Sequence, residues 1–147
     1  MGKSAKVSQL PNAPAFSAYA GAATALTATA YTKVAFNTEE FDTNNNFASS
    51  RFTPTVAGYY QINASVQMTG SVDSPFPVLY KNGAAYKSAD YFGATLAAPI
   101  KSISALVYLN GSTDYVEVFA YNGTGSSINT VASASATWFD GHLARVA

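Results

Sequence analysis

The single histidine, His142, stands two residues beyond Asp140, a spacing that puts both side chains on one side of an extended strand. A carboxylate beside an imidazole can orient a general base. Nucleophilic chemistry would also need a positioned hydroxyl or thiol, and the sequence has neither a Gly-x-Ser-x-Gly elbow nor a cysteine. Asp140 and His142 therefore read as a hydrogen-bonded structural pair, and the chain reads as a non-enzyme. A second cluster, Glu39, Glu40 and Asp42 followed by Asn44, Asn45 and Asn46, offers the oxygen ligands that calcium takes. Its spacing lacks the alternating acids of an EF-hand loop. Asp and Asn also cap turns by accepting from their own backbone, and this is the preferred reading. No cofactor is expected, with calcium as the alternative. Asn63, Asn110 and Asn122 each open an Asn-x-Ser/Thr triplet. The first seven residues have no apolar h-region, so no secretory route is expected and the triplets read as chance.

Composition narrows the setting. A chain of 147 residues suits one domain with a sizeable core. Charged residues make up 11% and the formal net charge is zero, against a usual charged share of about 25%. Such a surface repels its neighbours weakly. The ten Tyr and nine Phe exceed what one small core readily hides, and aromatic enrichment with charge depletion marks interfaces. The competing reading lays amphipathic Tyr along the sheet surface. Basic residues are few and scattered, which excludes nucleic acid as the expected partner. No apolar run approaches the roughly 18 residues that span a bilayer, so no membrane partner is expected.

The elements that must position these residues read as strands. Residues 59–68 alternate cleanly: Tyr60, Ile62, Ala64, Val66 and Met68 share one face, while Tyr59, Gln61, Asn63, Ser65 and Gln67 share the other, the pattern of a half-buried strand. Further strands are predicted over 15–19, 31–36, 76–81, 84–92, 100–109, 113–121 and 134–146, with β arcs between 20 and 30. Asn-Gly pairs at Asn82, Asn110 and Asn122 are strong turn signals, because a type I′ turn needs positive φ at two successive residues. The first predicts a hairpin joining 76–81 to 84–92, the second a hairpin joining 100–109 to 113–121, and the third the start of a loop. Eight to ten strands with regular turns and no amphipathic helix give an all-β sandwich. Residues 1–13 hold Pro11 and are predicted to form an extended N-terminal arm, with the domain over 14–147 and Pro14 at the junction. Loops 71–77 and 122–129 are the natural places for a sugar-binding site, since rings stack on apolar sugar faces and amides bond hydroxyls.

Phe36, Asp42, Phe47, Phe52, Gly58, Tyr60 and Ile62 occur in the order of a longer pattern, and Phe139-Asp140-Gly141-His142-Leu143 closes the chain as Phe-x-Gly-x-Leu. Together these segments resemble the C1q-like domain of the C1q/TNF jelly-roll superfamily over residues 13–146. Two departures stand out: the spacer between Phe47 and Phe52 is two residues short, and Ile62 and Ala64 replace aromatics. The resemblance implies a ten-stranded jelly roll that assembles as a trimer, with Phe36, Phe47, Phe52, Gly58, Tyr60, Phe139 and Gly141 as its structural signature. Candidate trimer-interface rings are Tyr108, Tyr115, Phe119, Tyr121, Trp138 and Phe139, each with core packing as the alternative. Secreted members of the family carry a signal and a collagen-like or coiled stalk. Residues 36–62 are worded more like the modules of bacterial and phage proteins. The expected role is a trimeric decoration or cement protein on a virion head or tail. In that reading Val7, Leu10, Pro11 and Pro14 anchor it to a major capsid or other virion protein. The alternative is a head that binds a host-surface glycan or protein, on a phage fibre, a bacterial surface or outside the cell.

Overall fold

The computed structural model describes residues 13–91 and 93–147, and these form strands and turns without a helix. The strands are β1 (Ala15–Tyr19), β2 (Ala25–Leu26), β3 (Ala30–Lys33), β4 (Thr38–Asp42), β5 (Phe47–Ala48), β6 (Arg51–Phe52), β7 (Gly58–Gln67), β8 (Ser71–Asp73), β9 (Phe76–Lys81), β10 (Ala84–Ser88), β11 (Thr95–Ala97), β12 (Ile100–Leu109), β13 (Val116–Asn122), β14 (Ile128–Asn129) and β15 (Trp138–Val146).

Sheet one runs β12-β7-β15-β1-β4, and sheet two runs β10-β9-β13-β6-β5. In sheet two, β6 pairs with Val116 and Glu117 of β13 and β3 with Phe119 to Asn122. Because β9 takes the other edge of β13, β3 and β6 share one position end to end. Each sheet is thus five strands wide, and the two make a ten-position antiparallel jelly roll. Short ladders β11-β8 and β14-β2 lie off these sheets.

Alternation puts one core between the sheets. Tyr60, Ile62, Ala64, Val66 and Met68 are fully buried, and they meet Val116, Val118, Ala120 and Leu79 of sheet two in one cluster. Phe16 is the hub: its ring stacks on Phe47 and Phe52 at 4.9 and 4.3 Å and meets Phe139 edge-on at 4.8 Å. Such pairs contribute about 0.5–1.5 kcal/mol each beyond area burial.

Turn chemistry corrects several expectations. At Asn82-Gly83 both residues are left-handed, with φ of 53° and 80°, and the pair closes the β9–β10 hairpin. At Asn110-Gly111 only the glycine is left-handed, with φ 73°, and no hairpin forms. Here β12 pairs with β7 and β13 with β9, so this turn carries the chain from one sheet to the other. The Asn110 side chain explains the difference, because its Oδ1 accepts from the N–H groups of Ser112, Thr113 and Asp114 and holds an Asx-type turn in place of a type I′ turn. The same cap delays β13 to Val116. Past Lys33 the pairing with β13 makes one more bond, Val34 N–H to Val118 O at 2.9 Å, and then the amides turn to other partners. Ala35 N–H donates to Thr24 Oγ1 and Phe36 N–H to Ser50 Oγ. β10 ends at Ser88 and β15 begins at Trp138, both shorter than predicted.

Of the proposed anchoring residues, Val7, Leu10 and Pro11 lie outside the described residues. Pro14 does not fit an anchoring role: it is buried, and its carbonyl accepts from Leu143 N–H at 2.9 Å, so it belongs to the jelly roll.

Candidate functional site

The histidine pair does not form. His142 is exposed, and Asp140 Oδ1 accepts instead from Asn63 Nδ2 at 2.8 Å. Asn63 sits directly across the ladder from Asp140, nearer than a residue two places along the same strand. That amide anchors a stripe of hydrogen bonds on the outer face of sheet one. Gln61 Nε2 donates to Ser104 Oγ at 2.8 Å and to Asn63 Oδ1 at 3.1 Å, and Ser104 Oγ donates to Asn63 Oδ1 at 2.8 Å. Nothing in this stripe is placed as a nucleophile beside a base.

The acidic cluster is divided, with Asp42 capping the turn after β4 and Glu40 bonded across to β1. Asp42 carboxylate oxygens accept from Phe47 N–H at 2.7 Å and, at a longer 3.4 Å, from Asn44 N–H. Glu40 Oε2 accepts from Ser17 Oγ at 2.6 Å. Among the described residues no group of three or more acids, histidines or cysteines converges on one point. Asn122 is a structural staple: its buried amide donates to the carbonyls of Leu26, Thr27 and Ser126.

Around the polar stripe, sheet one exposes apolar groups. Tyr59 and Tyr108 face each other across β7 and β12, ring centroids 5.5 Å apart. Leu106 is 56% and Ile100 55% exposed on the same face of β12, and Val146 adds to the patch. Trp138 is half-buried on this face, between Ser65 of β7 and Tyr19 of β1.

The outer face of sheet two carries the other aromatic group. Phe119 stacks on Tyr80 at 3.9 Å and 23°. Tyr121 sits 4.9 Å from Tyr31 and 5.3 Å from Phe76, and Phe76 meets Tyr91 edge-on at 5.7 Å. Tyr31, Phe76, Tyr91 and Tyr121 floor a cleft of about 670 Å³ whose rim includes Asp73, Ser74, Lys87 and Ser88. Tyr115 lies at the far end of this sheet under the Arg51 guanidinium, 3.9 Å from the ring centre. The six proposed interface rings are therefore divided. Tyr108 and Trp138 lie on sheet one, and Tyr115, Phe119 and Tyr121 on sheet two. Phe139 is fully buried among Phe16, Phe36 and Phe47 and offers no ring to a partner, because strand alternation turns it inward where Trp138 turns out.

The signature residues are interior. Phe36, Phe47, Phe52, Tyr60 and Phe139 belong to the core cluster. Gly58 and Gly141 are buried beside them. Tyr60 O–H donates to Val56 O at 2.7 Å, and burial pushes this phenol up to about 12.

No family model matches the chain, and no curated protein matches its sequence. Solved structures do match. The globular domain of a zebrafish complement 1qA protein has a TM-score of 0.66 and 21% identity, over 92% of this chain and 99% of that one. Murine APRIL has a TM-score of 0.65 and 10% identity, over 89% and 98%. The fold is C1q/TNF-like. An Eiger TNF from S. frugiperda fits it similarly, with a TM-score of 0.61 and 11% identity over 92% and 93%.

Proposed function

We propose that this protein is a non-enzymatic homotrimeric module that decorates a virion surface. The observation that carries the trimer is the outer face of sheet one, where Tyr59, Tyr108, Leu106, Ile100 and Val146 surround a stripe of paired amides and hydroxyls. An exposed apolar patch rimmed by satisfied polar groups is what an association surface looks like. The formal net charge of zero leaves little repulsion between copies. The likeness to C1q-type sequences supports the same assembly. The wording of residues 36–62, which resembles bacterial and phage modules, supports the virion setting, with attachment through residues 1–12.

Native mass spectrometry at micromolar protein tests the assembly: a trimer is expected, and a monomer ends the proposal. Particle purification tests the setting. The protein is expected to stay with intact virions, and stripped particles to lose heat or osmotic resistance. A protein absent from particles overturns the decoration role.

A further inference from the structure

The cleft on sheet two invites a separate assignment. Its rings meet at steep or tilted angles, not in a closed parallel stack. Tyr31 meets Phe76 at 76° and Phe76 meets Tyr91 at 85°, while Tyr121 tilts by 34° on Phe76 and 46° on Tyr31, so they form an angular floor and wall. By contrast Tyr80 and Phe119, on the same sheet, are stacked and closed. Tyr91 is 69% and Tyr31 48% exposed, although apolar rings of this size ordinarily prefer cover. The cleft volume of about 670 Å³ lies within the roughly 300–1,000 Å³ of small-molecule sites.

The rim is fixed and polar. Asp73 Oδ1 accepts from Thr95 Oγ1. Asp73 N–H donates to Thr124 Oγ1 at 3.1 Å, and its carbonyl accepts from Gly123 N–H at 3.0 Å. The next residue, Ser74, is held left-handed at φ 46°, a conformation a non-glycine residue keeps only where its surroundings impose it. The second carboxylate oxygen of Asp73, with the hydroxyls of Ser74 and Ser88, supplies acceptors and donors at the edge of an aromatic floor.

We propose that this cleft binds a neutral pyranose sugar. One face of a pyranose is a set of C–H bonds with partial positive charge, which suits the negative face of a tyrosine or phenylalanine ring. Its equatorial hydroxyls donate well to a fixed carboxylate. Other ligand classes fit worse. A phosphate-bearing ligand would meet the Asp73 carboxylate, while Lys87 is drawn over the Tyr86 ring, 5.4 Å from its centre. A purely apolar ligand would strip water from that carboxylate without replacing it, which is costly. The cleft lies on the sheet opposite the proposed trimer face, so the two readings stand or fall separately.

Saturation-transfer NMR on the full chain tests this, using the methyl glycosides of glucose, galactose, mannose and N-acetylglucosamine at millimolar concentration. Transfer to the C–H face of at least one is expected, with affinity about tenfold weaker in Tyr91→Ala, the loss typical of removing one contact ring. Tyr31→Ala and Asp73→Asn serve as second and third variants, each first checked by its circular dichroism melt. Absence of transfer from all four sugars overturns the assignment, as does undiminished transfer in every folded variant. Stronger transfer to phenol than to any sugar would make this an apolar site and overturn it too. A monomer that binds sugar would sink the trimer and leave this inference standing.

Discussion

Gly141 shows how tightly the signature is constrained. A Cβ on Gly141 would lie 2.6 Å from Ile62 Cδ1, 2.9 Å from Phe16 Cε1 and 3.1 Å from the Gln61 carbonyl. Phe16 is the hub of the ring cluster and cannot retreat. Gly141→Ala is expected to destabilise by about 1–3 kcal/mol, read as a lower urea midpoint. An unchanged midpoint would mean that the core yields. Glu117, outside that signature, is constrained by charge. It is nearly buried, and its Oε1 takes the Lys33 ammonium at 2.6 Å and the Arg51 guanidinium at 2.9 Å. Burial alone would raise its pKa, but the hydrogen bonds and charges of Lys33 and Arg51 outweigh burial and lower it. Asp114 is also lowered, first by the hydrogen bond from Asn82 and then, against partial burial, by Lys81. A carboxylate more acidic in the folded state stabilises fully above its unfolded pKa. That stability drains as pH falls from the ordinary range, about 4, through the folded value. Stability should therefore fall on acidification below that range. Glu117→Gln should cost about 1–3 kcal/mol at neutral pH and flatten the acid slope, measured as urea midpoints across a pH series. An unaltered slope would exclude Glu117 as a source.

At the scale of elements, the sequence was legible where one rule dominated. Strict alternation marked β7, and β9 and β12 were read to their ends, since a buried face leaves little freedom in register. Side chains that intercept the ladder hid the rest. Thr24 and Ser50 take the amides of Ala35 and Phe36 beyond β3, and Asn110 replaces a hairpin with a crossing between sheets. Asp140 turns to Asn63 across the strands, a pairing invisible without the register. The aromatic cleft was half-legible: loops 71–77 and 122–129 do contribute Asp73, Ser74 and Gly123 to it, but Tyr31, Tyr86 and Tyr91 come from three other segments that only the fold unites. Strand β12 carries the prediction for assembly. Leu106→Lys places a charge in the exposed patch while the inward residues Val107 and Leu109 stay covered. The variant is expected to keep its circular dichroism spectrum and shift from trimer to monomer in light scattering; a trimer of full strength would move the interface elsewhere.

For the whole molecule, the described domain begins its bonding at Ala13 and Pro14, whose carbonyls accept from Thr43 Oγ1 and Leu143 N–H. Deleting residues 1–12 should leave melting temperature and oligomeric state unchanged and abolish attachment to the carrier particle, measured by co-sedimentation. Loss of folding would show that these residues belong to the domain, and attachment without them would relocate the anchor.

The order of sheet one also sets a timetable. β15 is the strand last in sequence yet lies between β7 and β1, with His142 opposite both Gln61 and Ala15. Until a ribosome has delivered this strand, β1 and β4 have no neighbour on the β7 side, and the Phe16 ring lacks Phe139 as its edge-on partner. Closure of such distant pairings is slow and leaves sheet edges uncovered meanwhile. Folding of this domain should thus await delivery of β15, and chains cut short before Trp138 should be captured by chaperones rather than released as smaller stable domains.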